Sequence, residues 1–439
     1  MTSARTPCSF WWLNHNSELP PGPAWHPIGT AGFEETEGRI TGHHSLRGPA
    51  PAWADDLLRL SRAAFLADKL ASRKATEDRW TRRLRLSVPA SDPDRWAAAA
   101  AGPLSSLLRT LTGDLWEISL RPLRPAPRQE PFPADEDWCA REVALFSGGL
   151  DSLSWAARRA AESGDGDGVL LLVTFTEKKV EHVLGNVYAG VKALARQSGR
   201  ELRRLTLAQT NSGGHGKEAE HSSRPRGLLY AATAVRAAAA DRVDTVQVPE
   251  NGQLALNPPL SAARSAALST RSVHPRTLHL LNAVIRTVGG SVTVENPLAH
   301  LTKGEVCRAA VRAGLPLTVL AQSMSCGAPP RQRRPVPYVN CGVCFPCLVR
   351  RSGLLAGTGT DPTPYETTPL HPGLSSERSK HWHALRNWLG RDYTVFDLIG
   401  DVPLPPGTPA GNWLQVIESG REELRAMVRW AQSEAAGAA

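Results

Sequence analysis

The chain has 439 residues, a hydrophobic fraction of 41% and a formal net charge of +9, from 51 basic and 42 acidic side chains. That length and composition suit two or three folded domains and exclude a largely disordered chain, while the longest apolar stretch, residues 169–175, is far short of the roughly 20 residues that span a bilayer. The basic excess is modest, spread along the chain and not interleaved with aromatics, so nucleic acid is not the expected partner.

In chain order, residues 1–16 lack the charged and then apolar regions of a signal peptide, and a cytoplasmic protein is expected. Residues 1–140 read as an α+β accessory domain. Leu57, Leu58, Leu60, Ala64, Phe65 and Ala67 recur at helical spacing within residues 55–75, and residues 80–88 and 115–120 alternate as half-buried strands do. The tryptophans of this unit are expected in its core, because aromatics mainly supply buried area. Proline-rich residues 122–133 read as a linker. No chemical role for the unit follows from its residues.

Residues 141–355 alternate strand and helix, which predicts a parallel sheet covered on both faces. Residues 143–146 suit a strand buried on both sides, and Leu153, Ala156, Ala157 and Ala160 follow at helical spacing. Between them lies Ser147-Gly148-Gly149-Leu150-Asp151-Ser152. Two glycines allow a sharp turn and close approach of N–H groups to a ligand, and Asp151 and Ser152 fall at a helix N-terminus, where unpaired donors collect. Such a turn binds phosphate, and residues 146–152 (Phe146, Ser147, Gly148, Gly149, Leu150, Asp151 and Ser152) are the candidate nucleotide seat. The loop resembles the SGGxDS loop of the PP-loop ATP pyrophosphatases, which cleave ATP between its α and β phosphates. A second Ser212-Gly213-Gly214 lacks the strand and the Asp-Ser, and reads as a flexible loop.

Further strands are expected at residues 169–174, 202–207, 243–248 and 292–295, with helices at 180–197 and 227–240. Ligands of such sheets sit at the carboxyl ends of the strands, where the topology switches. Glu250 and Asn251 follow the fourth strand, as a second-substrate site or as an ordinary turn with Asn251-Gly252 left-handed. Arg224 and Arg226 precede a helix and could pair with a carboxylate or phosphate. Thr302 reads as an N-cap with Glu305 as its capping-box partner, which leaves Lys303 to reach a phosphate.

Cys326, Cys341, Cys344 and Cys347 offer four thiolates, as a closed tetrahedral zinc site needs; an iron–sulfur cluster could use the same spacing. All four positions taken by protein would make the metal structural. Cys8, Cys139 and Cys307 are isolated and read as ordinary buried thiols. Residues 356–439 form a partly helical C-terminal extension.

SGGLDS at 147–152, NPLAHLTKGEV at 296–306 and the cysteine run at 326–351 together resemble the 7-cyano-7-deazaguanine synthase (QueC) family, over about 210 residues in matching order. The resemblance implies a PP-loop fold with a zinc-bound lid held by the four cysteines. It also implies adenylation of 7-carboxy-7-deazaguanine by ATP and replacement of the adenylate by ammonia, giving an amide and then a nitrile. Thr176-Glu177-Lys178-Lys179, the PENGQLALNPPL stretch, Arg331, Arg333 and Arg334 between the cysteines, and the extra N-terminal unit depart from the housekeeping pattern. The architecture is most similar to the QatC-type, QueC-like proteins of bacterial anti-phage systems, in which a partner-protein amine could be the acceptor.

The reading that follows is an ATP-dependent C–N ligase. The 147–149 backbone with Ser147 and Ser152 holds the phosphates, Asp151 helps place Mg²⁺, and Lys303 offsets charge on pyrophosphate. The competing readings are a housekeeping synthase, a PP-loop tRNA-modifying enzyme, and a non-catalytic ATP-binding partner subunit.

Overall fold

A computed structural model describes residues 7–15, 18–30, 33, 49–124, 138–162, 168–176, 181–208, 220, 224–261, 271–327, 339–371 and 374–437. Residues 125–133 of the expected linker, the second Ser-Gly-Gly, Glu177, Lys178 and Lys179, and Arg331, Arg333 and Arg334 lie outside these residues.

Strands β1 (Cys8–Trp12), β2 (Trp25–Ile28), β3 (Arg83–Ala90) and β4 (Leu115–Pro122) form a sheet in the order β2-β1-β3-β4, every pair parallel. Helices α1 (Ala52–Leu70), α2 (Pro93–Ala99) and α3 (Ser105–Thr112) accompany it. The first unit mixes helix and strand, but its pairs are all parallel, so its layering is α/β where α+β was expected; helices lie between β2 and β3 and between β3 and β4, while the described residues between β1 and β2 hold none. Trp12, Trp96 and Trp116 are buried as expected of core aromatics, Trp53 and Trp138 pack half-buried against the core, and Trp11, Trp25 and Trp80 are half-buried outside it. Arg82, almost wholly buried, bridges Asp68 at the end of α1 and Asp114 before β4, and Arg73 also grips Asp114.

The second sheet runs β7-β6-β5-β8-β9, again all parallel: β5 (Ala140–Leu145), β6 (Val169–Thr176), β7 (Leu202–Ala208), β8 (Thr245–Gln247) and β9 (Thr293–Glu295). Its helices are α4 (Leu150–Ala161), α5 (Glu181–Gln197), α6 (Arg226–Ala240), α7 (Gly252–Leu256), α8 (Pro275–Thr287), α9 (Lys303–Arg312), α10 (Leu317–Gln322) and α11 (Phe345–Thr358). The chain winds outward from β5 to β7, returns to the other side of β5 at β8, and continues to β9. The switch point therefore lies between β5 and β8.

One face of this sheet is covered by α4, α5 and α9, with Leu153, Ala156, Val187, Val191 and Ala310 packed against Leu170 and Leu172. The other face carries α6 and α8 and joins the core of the first unit in one continuous apolar cluster, through the α1–α6 and α3–α8 contacts. The C-terminal helices α12 (Ser376–Leu389), α13 (Val395–Asp401) and α14 (Ala410–Gly437) enclose Trp382, Trp388, Ile417 and Leu424 against Phe345 and Leu348 of α11. No helix among the described residues is long and apolar enough to cross a membrane.

Cys307 is buried as expected, whereas Cys8 and Cys139 are exposed. Both stand at strand N-termini, where the side chain has not yet entered the core.

Candidate functional site

The loop after β5 is shaped by its glycines. Gly148 has φ +69°, in the left-handed region, and a Cβ there would come within 2.6 Å of Leu184 Cδ1. At Gly149 a Cβ would stand 3.3 Å from the Met324 carbonyl oxygen. Ser147 and Ser152 close the loop on itself. The Ser147 N–H donates to Ser152 Oγ at 3.2 Å, the two hydroxyls lie 3.1 Å apart, and the Gly149 N–H donates to Ser147 Oγ at 3.2 Å. Phe146 and Leu150 have their side chains in the core, so at this loop they offer only main chain. Thr174 fixes the end of β5 by donating to the Phe146 carbonyl at 3.0 Å.

Asp151, in the first turn of α4, is buried and surrounded by three other predicted residues. Lys303 Nζ lies 2.6 Å from Asp151 Oδ2, and Asn251 Nδ2 donates to the same oxygen at 3.0 Å. Glu250 stands beside both, and Asn251 Nδ2 reaches its Oε1 at 3.4 Å. Burial pushes the Asp151 carboxyl up, but the Lys303 ammonium and hydrogen bonds from Glu250, Lys303 and Asn251 outweigh it and hold the group below the ordinary aspartate range. Burial and the adjacent Asp151 carboxylate drive Glu250 well above its usual value, which favours a protonated Glu250 donating to Asp151. Asp151, Lys303, Asn251 and the half-buried Glu250 thus meet at the switch point.

Asn251 is not left-handed. Its φ is −60°, and its Oδ1 accepts from the Leu254 N–H at 3.2 Å as the cap of α7 while its amide nitrogen serves Asp151. The Thr302–Glu305 capping box forms as expected. Lys303, expected to be free for a phosphate, is instead turned into the interior against Asp151, and it is 2% exposed. Arg224 and Arg226 are not brought to this cluster. The Arg224 guanidinium donates to the Thr112 carbonyl at 2.9 Å and stacks 4.3 Å from the Trp80 ring centre, both in the first unit, and Arg226 is exposed at the start of α6.

Three residues that support the site had no sequence signal of their own. Asn296 donates to the Glu250 carbonyl at 2.7 Å and accepts from its N–H at 3.1 Å, bracketing that residue. Arg350, fully buried on α11, donates to the Leu320 and Ala321 carbonyls and to Ser323 Oγ, and so holds the segment whose Met324 walls Gly149. Glu423 of α14 reaches the N-terminus of α9. Asn296 lies within the recognised NPLAHLTKGEV stretch, but nothing local marks its partner.

The four cysteines converge, with all sulfurs within 4.8 Å of one another and the 326–344 and 341–347 pairs each 3.9 Å apart. Zn–S bonds of about 2.3 Å in a tetrahedron imply edges of roughly 3.8 Å, so the donor set fits zinc. The knuckle between Cys341 and Cys344 depends on Gly342, at φ +81°, where a Cβ would fall 2.1 Å from the Thr367 carbonyl oxygen. None of the four is in a disulfide.

With this geometry in hand, residues 273–357 match the family model described as Queuosine biosynthesis protein QueC, a PP-loop family. The chain is similar to the 7-cyano-7-deazaguanine synthase of Acinetobacter baylyi, at 24% identity over 247 residues, which are 51% of this chain and 95% of that protein. It is also similar to the 7-cyano-7-deazaguanine synthase of Novosphingobium aromaticivorans, at 42% identity over 77 residues, 18% of this chain and 30% of that one. The stretch that matches the QueC model spans α8 to α11, and with it Lys303 and all four clustered cysteines.

Proposed function

We propose that the protein is an ATP-dependent ligase that adenylates the carboxylate of a 7-carboxy-7-deazaguanine-like substrate and passes the acyl group to an amine. The observation that carries this reading is the junction of the Ser147 loop with the Asp151, Lys303, Glu250 and Asn251 cluster at the sheet's switch point. The similarity to synthases that act on this class of base supplies the substrate.

A carboxylate oxygen attacks the α-phosphorus of ATP, forming the acyl adenylate and releasing pyrophosphate. An amine nitrogen then attacks the acyl carbon, AMP leaves, and the nitrogen loses its proton. To hold the phosphates, the Ser147 and Gly149 N–H groups exchange the Ser152 and Ser147 hydroxyls for phosphate oxygens, and Lys303 supplies the positive charge for the departing pyrophosphate. Reaching that pyrophosphate requires Lys303 to exchange Asp151 for phosphate oxygens. Mg²⁺ accompanying ATP would screen phosphate charge, with Asp151 as the carboxylate available to it. Proximity of this kind can lower a barrier by about 7–11 kcal/mol, so no separate nucleophile on the protein is required.

For the acceptor, a partner-protein amine in an anti-phage system is preferred over ammonia. The segment after β8 and the first unit, which both depart from the housekeeping pattern, support that choice. The adenylation step is tested by ATP–pyrophosphate exchange driven by 7-carboxy-7-deazaguanine. Asp151→Ala is expected to lower exchange by at least about 10²-fold, and exchange persisting at the wild-type rate would remove the loop from the reaction. Intact masses of neighbouring gene products, with and without the enzyme, read the acceptor: a deazaguanine-sized adduct supports conjugation, and an amide or nitrile product alone returns the enzyme to the housekeeping role.

A further inference from the structure

The last helix, α14, runs under both loops that build the cluster. Gly420 lies against Gln253 of α7, and a side-chain carbon at Gly420 would come within 2.7 Å of Gln253 Oε1. One turn further on, Glu423 meets the start of α9. Its carboxylate oxygens accept from the Gly304 N–H at 3.2 and 3.1 Å, and one of them also accepts from the Thr302 hydroxyl. Gly304 is closed to any larger residue, because a Cβ there would stand 2.4 Å from Glu423 Oε1 and 2.9 Å from Ala356 Cβ.

Thr302 and Glu305 already complete a capping box at this terminus, so α9 is capped without the help of Glu423. What Glu423 adds is a grip on the two residues that flank Lys303. The Lys303 stem is confined as well, for a Cβ at Gly353 of α11 would come within 2.3 Å of its Cγ. Between these two restraints the ammonium extends to Asp151.

We propose that Glu423 is a positioning residue: by holding Thr302 and Gly304 it fixes the backbone from which Lys303 reaches the Asp151 cluster, which makes the C-terminal helix a working part of the site. Glu423 lies 66 residues beyond the end of the family match at residue 357, so the grip on this part of the matched stretch comes from outside it. The inference deepens the ligase reading and rests on it for its catalytic meaning, but its first test needs no turnover.

That test reads Lys303 directly. The full-length protein is treated briefly with acetic anhydride, and labelling of each lysine is quantified by peptide mass spectrometry. Glu423→Ala is expected to raise Lys303 labelling about tenfold, because the open population of α9's first turn grows when the hydrogen bonds from Gly304 and Thr302 are lost. The exposed Lys192 and Lys380 should label as before. Glu423→Gln, whose amide oxygen can still accept from Gly304, should restore protection. Glu305→Ala removes only the capping box, and is expected to lower the unfolding midpoint without exposing Lys303. Unchanged Lys303 labelling in Glu423→Ala, or equal exposure in Glu305→Ala, would overturn the proposal. If Glu423→Ala fails to fold, Glu423→Asp, which withdraws the carboxyl group by one methylene, takes its place with the same criteria. Substrate-driven exchange separates the two readings. No exchange in the wild type removes the ligase and leaves the positioning result standing, whereas full exchange in Glu423→Ala removes the positioning role alone.

Discussion

At the scale of single residues, the Asp151–Lys303 pair governs the site. Its members are 152 positions apart in sequence and almost fully buried, with Asn251 completing the shell of Asp151 Oδ2. A buried ion pair seldom adds net stability over apolar residues of the same volume, but removing one partner strands the other charge. Lys303→Met is therefore expected to lower the unfolding free energy by about 3 kcal/mol in urea titrations. The double variant Asp151→Asn/Lys303→Met should recover most of that loss, because no uncompensated charge remains. Equal loss in single and double variants would mean that the lysine contributes packing alone. The two glycines of the loop were legible from sequence, since their necessity is local: a left-handed φ at Gly148 and a wall of backbone beside Gly149. The pairing of Lys303 was not legible, because a lysine at the first position of a helix is normally exposed.

At the scale of elements, helix termini carry much of the design. α8 is capped by His274, whose Nδ1 accepts from the Arg276 N–H at 3.1 Å. Burial, and then the neighbouring Arg271 and Arg276, push this imidazole from its ordinary 6.5 down to about 3. The folded value lies below the unfolded one, so between them the unfolded chain binds the extra proton, and stability falls as pH drops below about 6.5. Between pH 7 and 5.5 the wild type should lose about 1 kcal/mol through this residue. His274→Asn, which keeps an acceptor at the cap, should lose that share of the pH dependence in urea titrations at the two pH values. Strand and helix positions in the second sheet were largely legible from apolar runs, and so was the capping box at Thr302. The neighbour relations were not: Asn282 of α8, which brackets Val294 of β9 at 2.8 and 3.0 Å, gives no sign in sequence of what it binds.

At the scale of the molecule, the cysteine cluster and the Ser147 loop are one structure. Cys326 is two residues from Met324, whose carbonyl walls Gly149, and Arg350 of α11, the helix that carries Cys347, clamps the same segment. The purified protein is expected to hold one zinc per chain, measured by elemental analysis. Stripping it with a strong chelator should lower the unfolding midpoint and weaken ATP binding several-fold, since folding free energy at such a site is metal-binding free energy. ATP affinity unaffected by chelation would uncouple lid from loop. The first unit is joined to the second sheet through α1 on α6, and Arg224, which from sequence could pair with a carboxylate or phosphate, is engaged at that junction.

The sequence by itself determined the glycine turn between a buried strand and a helix, the four-thiolate spacing and the parallel α/β layering. Each of these is a short-range pattern of residue type and period. Only the tertiary structure decided that β8 returns beside β5, so that Glu250 and Asn251 meet Asp151, that Lys303 points inward, and that Glu423 of the last helix reaches the start of α9. Those choices depend on which distant segments exclude water together, and that is a property of the assembled core, with no counterpart in any local stretch of chain.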